Sequence, residues 1–221
     1  MSKTLLKFCG NQSLDDYQLA CKSNADYIGF VFAKSKRQVK VEEVGSWIAQ
    51  ETPVSKKLVG IFVNQSIKEI ASVTESIPLS IIQLHGDESP VFVKELQTRT
   101  GASIWKVIHH ENDTSIQKMQ RYRGLVEGYV IDKKVGESYG GTGQAFDWSY
   151  LPRYQKQAKE YDALCIVAGG INPDNLSELL FYQPDGIDIS SGIEHEYKKS
   201  AEKINKIESR VSDHDKNSNT R

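Results

Sequence analysis

Eight short apolar runs punctuate the chain, each followed by a polar loop and a segment with helical signals. They are LLKFC (5–9), DYIGFVF (26–32), KLVGIFV (57–63), SIIQLH (80–85), SIWKVI (103–108), GYVID (128–132), LCIVAGG (164–170) and GIDIS (186–190). Most are near-continuously apolar and β-branched, the pattern of parallel strands buried on both faces. Run starts lie about 20 to 36 residues apart, the size of a strand-plus-helix unit. The segments between them carry helix starts. Ser13 is a natural N-cap before Leu14, Tyr17, Leu19 and Ala20, and Ser66 stands in the same way before Ile67, Ile70 and Val73. Asn172-Pro173-Asp174 places an Asn cap before a proline at the first helical position, with Leu176, Leu179 and Leu180 on one face. Eight alternations predict an α/β fold, a closed (β/α)8 TIM barrel. An open doubly wound sheet usually has fewer strands and an early G-x-G-x-x-G, which is absent here.

A chain of 221 residues fits a single domain. The barrel is expected over residues 1–210, followed by a tail, Val211 to Arg221, that is polar, lacks periodicity and reads as frayed or disordered. A formal net charge of -1 argues against nucleic acid or an anionic membrane as the main partner. No apolar run approaches the roughly 18–20 residues that span a bilayer, and the N-terminus lacks a signal-peptide core. The three cysteines, Cys9, Cys21 and Cys165, are far apart and form no CxxC, which points away from disulfides and toward a reducing cytoplasm.

In such a barrel, function sits at the strand C-termini and the loops beyond them. Strand one ends at Cys9-Gly10, strand two runs into a loop with Arg37, and strand four ends at Gln83-Leu84-His85-Gly86. Strand six ends at Asp132, strand seven at Gly169-Gly170 and strand eight at Ser190-Ser191-Gly192. Three glycine clusters, with Gly141 and Gly143 after strand six, then Gly170, then Gly192 beside Ser191, fall on adjacent strand ends. Any one alone reads as a turn. Together they predict a phosphate site built from backbone N–H groups.

Cys9 reads either as a small buried hydrophobe or as a base, and Asp132 either as a turn residue or as a proton donor across the mouth. Spacing alone leaves both readings open. Arg37 reads as a bidentate clamp for a substrate carboxylate, or as one more solvated charge in the patch Lys34, Lys36, Arg37 and Lys40. His85 reads as a proton shuttle or substrate partner, or as a histidine satisfied by backbone. No two-His-plus-carboxylate pattern suggests a metal, and no P-loop suggests a nucleotide.

The segments KFCGNQS, ADYIGFVFAKSKR, LVGIFVNQ, IQLHGDES, VIDKKVGESYGGTGQAFDW, IVAGGINPDN and GIDISSGIE, in that order, closely resemble the phosphoribosylanthranilate isomerase family of tryptophan biosynthesis. The likeness runs from Leu5 to about Lys206. It implies a cofactor-free barrel, monomeric or homodimeric, acting on a phosphorylated sugar–anthranilate. The reaction would be an Amadori rearrangement, with Cys9 as general base and Asp132 as general acid. It also implies Arg37 on the anthranilate carboxylate, Gln83 and His85 as substrate contacts, and phosphate on the N–H groups around Gly141, Gly143, Gly170, Ser191 and Gly192.

Two departures stand out. Lys36 occupies a position where many members have proline. The segment EHEYKKSAEK, after SSGI, is shorter than usual and lacks the family's glycine. A neighbouring reading, an indole-glycerol-phosphate synthase or tryptophan synthase α-like lyase, would want lysine and glutamate at strand ends. Lys7 and Lys106 lie within strands one and five, and no glutamate ends a strand. A phosphate-ligand-binding barrel without turnover is the third reading, against which Cys9 and Asp132 both speak.

Overall fold

The computed structural model describes residues 3–51, 56–133 and 145–218. All eight apolar runs form strands: β1 (Leu5–Phe8), β2 (Tyr27–Val31), β3 (Lys57–Phe62), β4 (Ile81–Leu84), β5 (Ser103–His110), β6 (Gly128–Lys133), β7 (Leu164–Val167) and β8 (Gly186–Ile189). They pair in sequence order, all parallel, and β8 returns to β1 in the register Leu5↔Gly186 to Phe8↔Ile189, closing the barrel. The helices α1 (Leu14–Lys22), α2 (Val41–Gln50), α3 (Ile67–Ser76), α4 (Pro90–Thr100), α5 (Thr114–Gln120), α6 (Leu151–Glu160), α7 (Leu176–Phe181) and α8 (Ala201–Ser218) fill the connections and follow β8. The closed (β/α)8 barrel is thus the observed fold.

Side chains alternate across each strand, so every run supplies two cores. Phe8, Ile28, Phe30, Phe62, Leu84, Ile131, Val167 and Ile187 pack outward under the helices. Tyr27, Val59, Ile61, Ile81, Trp105, Val107, Val130 and Ile166 pack with Cys9 and Ala168 in a second cluster inside the barrel. Trp105 meets Tyr27 edge-on at 4.8 Å and fills the interior. A Cβ on Gly128 would lie 2.8 Å from the Trp105 ring, so glycine gives the indole its room.

The serine caps appear where the sequence places them. Ser13 accepts from the Asp16 amide, and Ser66 forms a reciprocal capping box with Glu69. The Asn172 cap is displaced. Its Oδ1 accepts from the Asp174 and Asn175 amides at 2.8 and 3.3 Å, closing a turn, and α7 begins only at Leu176.

The expectation of a disordered tail from Val211 is corrected. Helix α8 continues to Ser218, past the boundary expected at residue 210. Ile204, Ile207 and Val211 recur at helical spacing and are all buried, a stripe that the polar composition of the last residues masks. Asp215 then accepts from Thr4 N at 3.2 Å and Thr4 Oγ1 at 2.9 Å, at the entry to β1. One buried valine and two hydrogen bonds are together worth about 3 kcal/mol. Truncation after Arg210 is expected to lower unfolding stability by about that amount. A urea midpoint unchanged by the truncation would show that the last turns of α8 hold nothing.

Candidate active site

The two-residue period that sorts the core also builds the site. Counting upward in steps of two from the inward residues reaches Cys9 above β1, His85 above β4, His109 and Asp132 in β5 and β6, and Ser190 above β8. Polar and reactive groups therefore collect at the C-terminal mouth because each strand's inner face runs out into its loop.

Cys9 is buried beneath this mouth, 8% exposed. Its neighbour on β2 is Gly29, where a Cβ would stand 2.8 Å from the Cys9 Sγ. The missing side chain makes room for the thiol. Asp132 is also buried, with Oδ1 accepting from the Lys133 amide at 2.7 Å. Its Oδ2 lies 3.4 Å from His85 Nε2, an ion-pair distance at which the angles make no hydrogen bond. The His109 ring lies 5.2 Å from that of His85, and its Nε2 is 3.2 Å from the His85 carbonyl oxygen. Burial first, and then the neighbouring His85, lower the His109 pKa to about 4, so His109 is neutral at neutral pH.

Gln83 occupies the layer below, almost fully buried, with no hydrogen-bond partner for its Oε1 among the described residues. Two charged residues that sequence reading did not place in the site share this depth. Lys7 Nζ meets Asp188 Oδ2 at 2.6 Å inside the barrel.

Arg37 separates from its basic patch. Lys34, Lys36 and Lys40 are exposed, whereas the Arg37 side chain is 14% exposed and lies against Gly10. A Cβ at Gly10, which adopts φ +71°, would collide with the Arg37 Cδ. The guanidinium fork expected to hold a substrate carboxylate is engaged within the chain. Nε and Nη2 reach the two oxygens of Glu194 at 2.8 and 2.7 Å. Lys199 Nζ adds 2.9 Å to Glu194 Oε1 and 2.6 Å to the Cys9 carbonyl oxygen. Burial pushes the Glu194 carboxyl up, but Arg37 and Lys199 outweigh it, and the group sits below the usual carboxylate range.

Glu194 and Lys199 belong to the glycine-free segment noted above. It forms a hairpin of β9 (Glu194–His195) and β10 (Lys198–Lys199), turned through Glu196 and Tyr197. Both turn residues adopt positive φ, 48° and 65°, where glycine or asparagine is the usual choice. Gln12 Nε2 donates to the Tyr197 carbonyl oxygen at 2.9 Å, and Lys36 Nζ stands 5.5 Å over the Tyr197 ring. The lysine that replaces proline thus meets the tyrosine of the glycine-free turn.

Between β7 and β8 the backbone is bare. Gly169 and Gly170 both have positive φ, 85° and 67°. Asn172 and Asn175 side chains donate to the Gly170 carbonyl oxygen at 3.2 and 2.9 Å and fix the loop. A Cβ on Gly192 would collide with the Ile171 carbonyl oxygen, so the two loops touch backbone to backbone. Ser191 lies beside it, half-buried. Gly141 and Gly143 fall outside the described residues. Among the described residues no group of three or more His, Cys, Asp or Glu could hold a metal ion, and no helix is long and apolar enough to cross a membrane.

An acid, a thiol and two imidazoles at the strand C-termini, above a filled interior, define a (β/α)8-barrel enzyme with one working face. Residues 6–210 match the family described as PRAI, N-(5'-phosphoribosyl)anthranilate (PRA) isomerase. The chain is 48% identical over 211 residues to the N-(5'-phosphoribosyl)anthranilate isomerase of Geobacillus thermodenitrificans, covering 96% of this chain and 95% of that protein. Among solved structures, phosphoribosyl anthranilate isomerase from Thermotoga maritima superposes with a TM-score of 0.82 at 28% identity, covering 95% of this chain and 99% of that one. A second, phosphoribosyl anthranilate isomerase in complex with reduced 1-(o-carboxyphenylamino)-1-deoxyribulose 5-phosphate, gives 0.81 at 27% identity with the same coverage. The chain belongs to the phosphoribosylanthranilate isomerase family, and it is an isomerase.

Proposed function

We propose that the chain converts N-(5-phosphoribosyl)anthranilate to 1-(2-carboxyphenylamino)-1-deoxyribulose 5-phosphate in tryptophan biosynthesis, by acid–base catalysis between Asp132 and Cys9. The carrying observation is that a buried carboxyl and a buried thiol, three strands apart round the barrel, occupy the inner face of one mouth. Asp132 gives its proton to the ribose ring oxygen as the C1′–O bond breaks, and the nitrogen lone pair forms an iminium. Cys9, as thiolate, takes the C2′ proton. The electron pair left behind neutralises the iminium and yields an enolamine, which tautomerises to the ketone. The relative solved with the reduced product, a molecule carrying a carboxylate and a phosphate, supports this substrate class.

Each end of such a substrate has a fitting region here. The bare backbone of Gly170, Ser191 and Gly192 suits the phosphate, with Gly141 and Gly143 assigned to it from sequence. Arg37 suits the carboxylate, with Glu194 fixing the plane of its guanidinium, and His85 stands beside the acid. Gln83, expected as a substrate contact, lies a layer lower and is almost fully buried. The reaction needs no cofactor, since both proton transfers are internal to this pair. The free cysteines fit a cytoplasmic setting. The test is loss of anthranilate fluorescence when the protein is added to phosphoribosylanthranilate generated in situ. A folded protein that leaves the signal unchanged would overturn the assignment.

A further inference from the structure

We propose that Lys7 and Asp188, buried inside the barrel beneath the mouth, are positioning residues that set the charge of Cys9. Lys7 holds the thiolate form, and Asp188 limits how strongly it does so. The proposal rests on the reading of Cys9 as the base.

An ion pair is costly inside a barrel. The barrel interior is otherwise apolar, with Val59, Ile61, Val130 and Ile166 in its cluster, and apolar residues of similar volume would fill the space at no desolvation cost. The pair is nevertheless completely enclosed, with side chains 1% and 7% exposed and 2.6 Å between Nζ and Oδ2. It is also unsymmetrical. Asp188 uses Oδ2 for Lys7, while its Oδ1 is buried with no hydrogen-bond partner among the described residues. The lysine ammonium carries three donors, of which Asp188 Oδ2 takes one. Lys7 and Cys9 are two residues apart on one strand, hence on the same inner face, and both are buried.

The other charges near Cys9 are committed elsewhere. From the β9–β10 hairpin, Lys199 donates to the backbone oxygen of Cys9 and to Glu194. From the loop after β2, Arg37 is forked on Glu194. On β2 itself the neighbour is Gly29, which carries no charge. Lys7 is therefore the cation on the thiol's own strand face. The electrostatic signs agree. Burial is the largest effect and holds the Cys9 thiol above its ordinary value; Lys7 and, more weakly, Lys199 pull it down, and Asp188 pushes it up.

The test follows the ultraviolet absorbance of the thiolate against pH, with the Cys9→Ala signal subtracted, together with the pH profile of kcat/KM. Lys7→Met is expected to raise the Cys9 midpoint by about one unit or more, and to lower kcat/KM about tenfold at neutral pH, with KM little changed. Asp188→Asn keeps the lysine and removes its counter-charge, and the midpoint is expected to fall. Opposite shifts are something general damage to the core would not produce. If Lys7→Met does not fold, Asp188→Asn decides alone: an unchanged or raised midpoint overturns the proposal, as do two shifts in the same direction. The underlying reading fails separately. Full turnover by Cys9→Ala would remove the base role, while the absorbance midpoints would still decide whether Lys7 governs the thiol. Collapse of Cys9→Ala with midpoints unmoved in both variants would leave the base and overturn the positioning role.

Discussion

Cys9→Ala is expected to lower kcat by about a hundredfold or more, the scale of a lost general base, with KM changed only slightly. Asp132→Asn is expected to do the same for the acid. The two substitutions suit the purpose because each leaves its surroundings in place. Cys9 packs against Gly29, so alanine removes the sulfur without forcing the strands together. The amide that replaces the Asp132 carboxyl retains an oxygen to accept from the Lys133 amide, and so the orientation at the end of β6. What it lacks is the acidic proton. Single-turnover fluorescence decay, with circular dichroism to show a native fold, measures both. If Asp132→Asn turned over within about threefold of wild type, the ring oxygen would have to receive its proton from another group, and His85, 3.4 Å away, would be the first to examine.

Gly192→Ala is expected to act on binding. Here the β8 loop touches the backbone of the β7 loop at the Ile171 carbonyl, and a methyl group has nowhere to go. The loops must part, and the backbone N–H groups proposed to hold the phosphate move with them. Each charge-assisted hydrogen bond to a phosphate is worth about 1.5–3 kcal/mol, so losing one weakens binding by roughly ten- to a hundredfold. KM is expected to rise on that scale and kcat to fall less. Inorganic phosphate as a competitive inhibitor gives an independent reading, since its inhibition constant is expected to rise in parallel. A variant in which KM rises while inhibition by phosphate stays at the wild-type level would move the phosphate site away from this loop pair.

The barrel is legible in the sequence because parallel strands buried on both faces cannot avoid being apolar. Eight such runs, each followed by a polar loop and a helical segment, leave few architectures open. The same alternation places Cys9, His85 and Asp132 at the mouth, because a strand's inner face continues past its last hydrogen bond. Partners far apart in sequence are not legible. Arg37 and Glu194 are separated by 157 positions, and Lys7 and Asp188 by 181. A lone charge carries no mark of which distant charge it will meet. Arg37 therefore reads as free for substrate, and nothing in the sequence marks Glu194 as its anchor. The end of α8 is hidden for a different reason. Three buried positions among many polar ones make a weak stripe, and Val211 lies where polar composition dominates. Asn172 shows that a residue with capping chemistry can close a turn ahead of the helix instead of capping it.

The hydrogen bonds between Thr4 and Asp215 bring the beginning and end of the described chain together at the face opposite the mouth. Joining the two by a short peptide would make a ring whose seam never crosses the catalytic side. New ends could then be cut into any connection on the lower face, such as that between α3 and β4, without disturbing a strand end that carries chemistry. By the same geometry, a second enzyme fused at either end would hang beneath the barrel and leave the mouth clear.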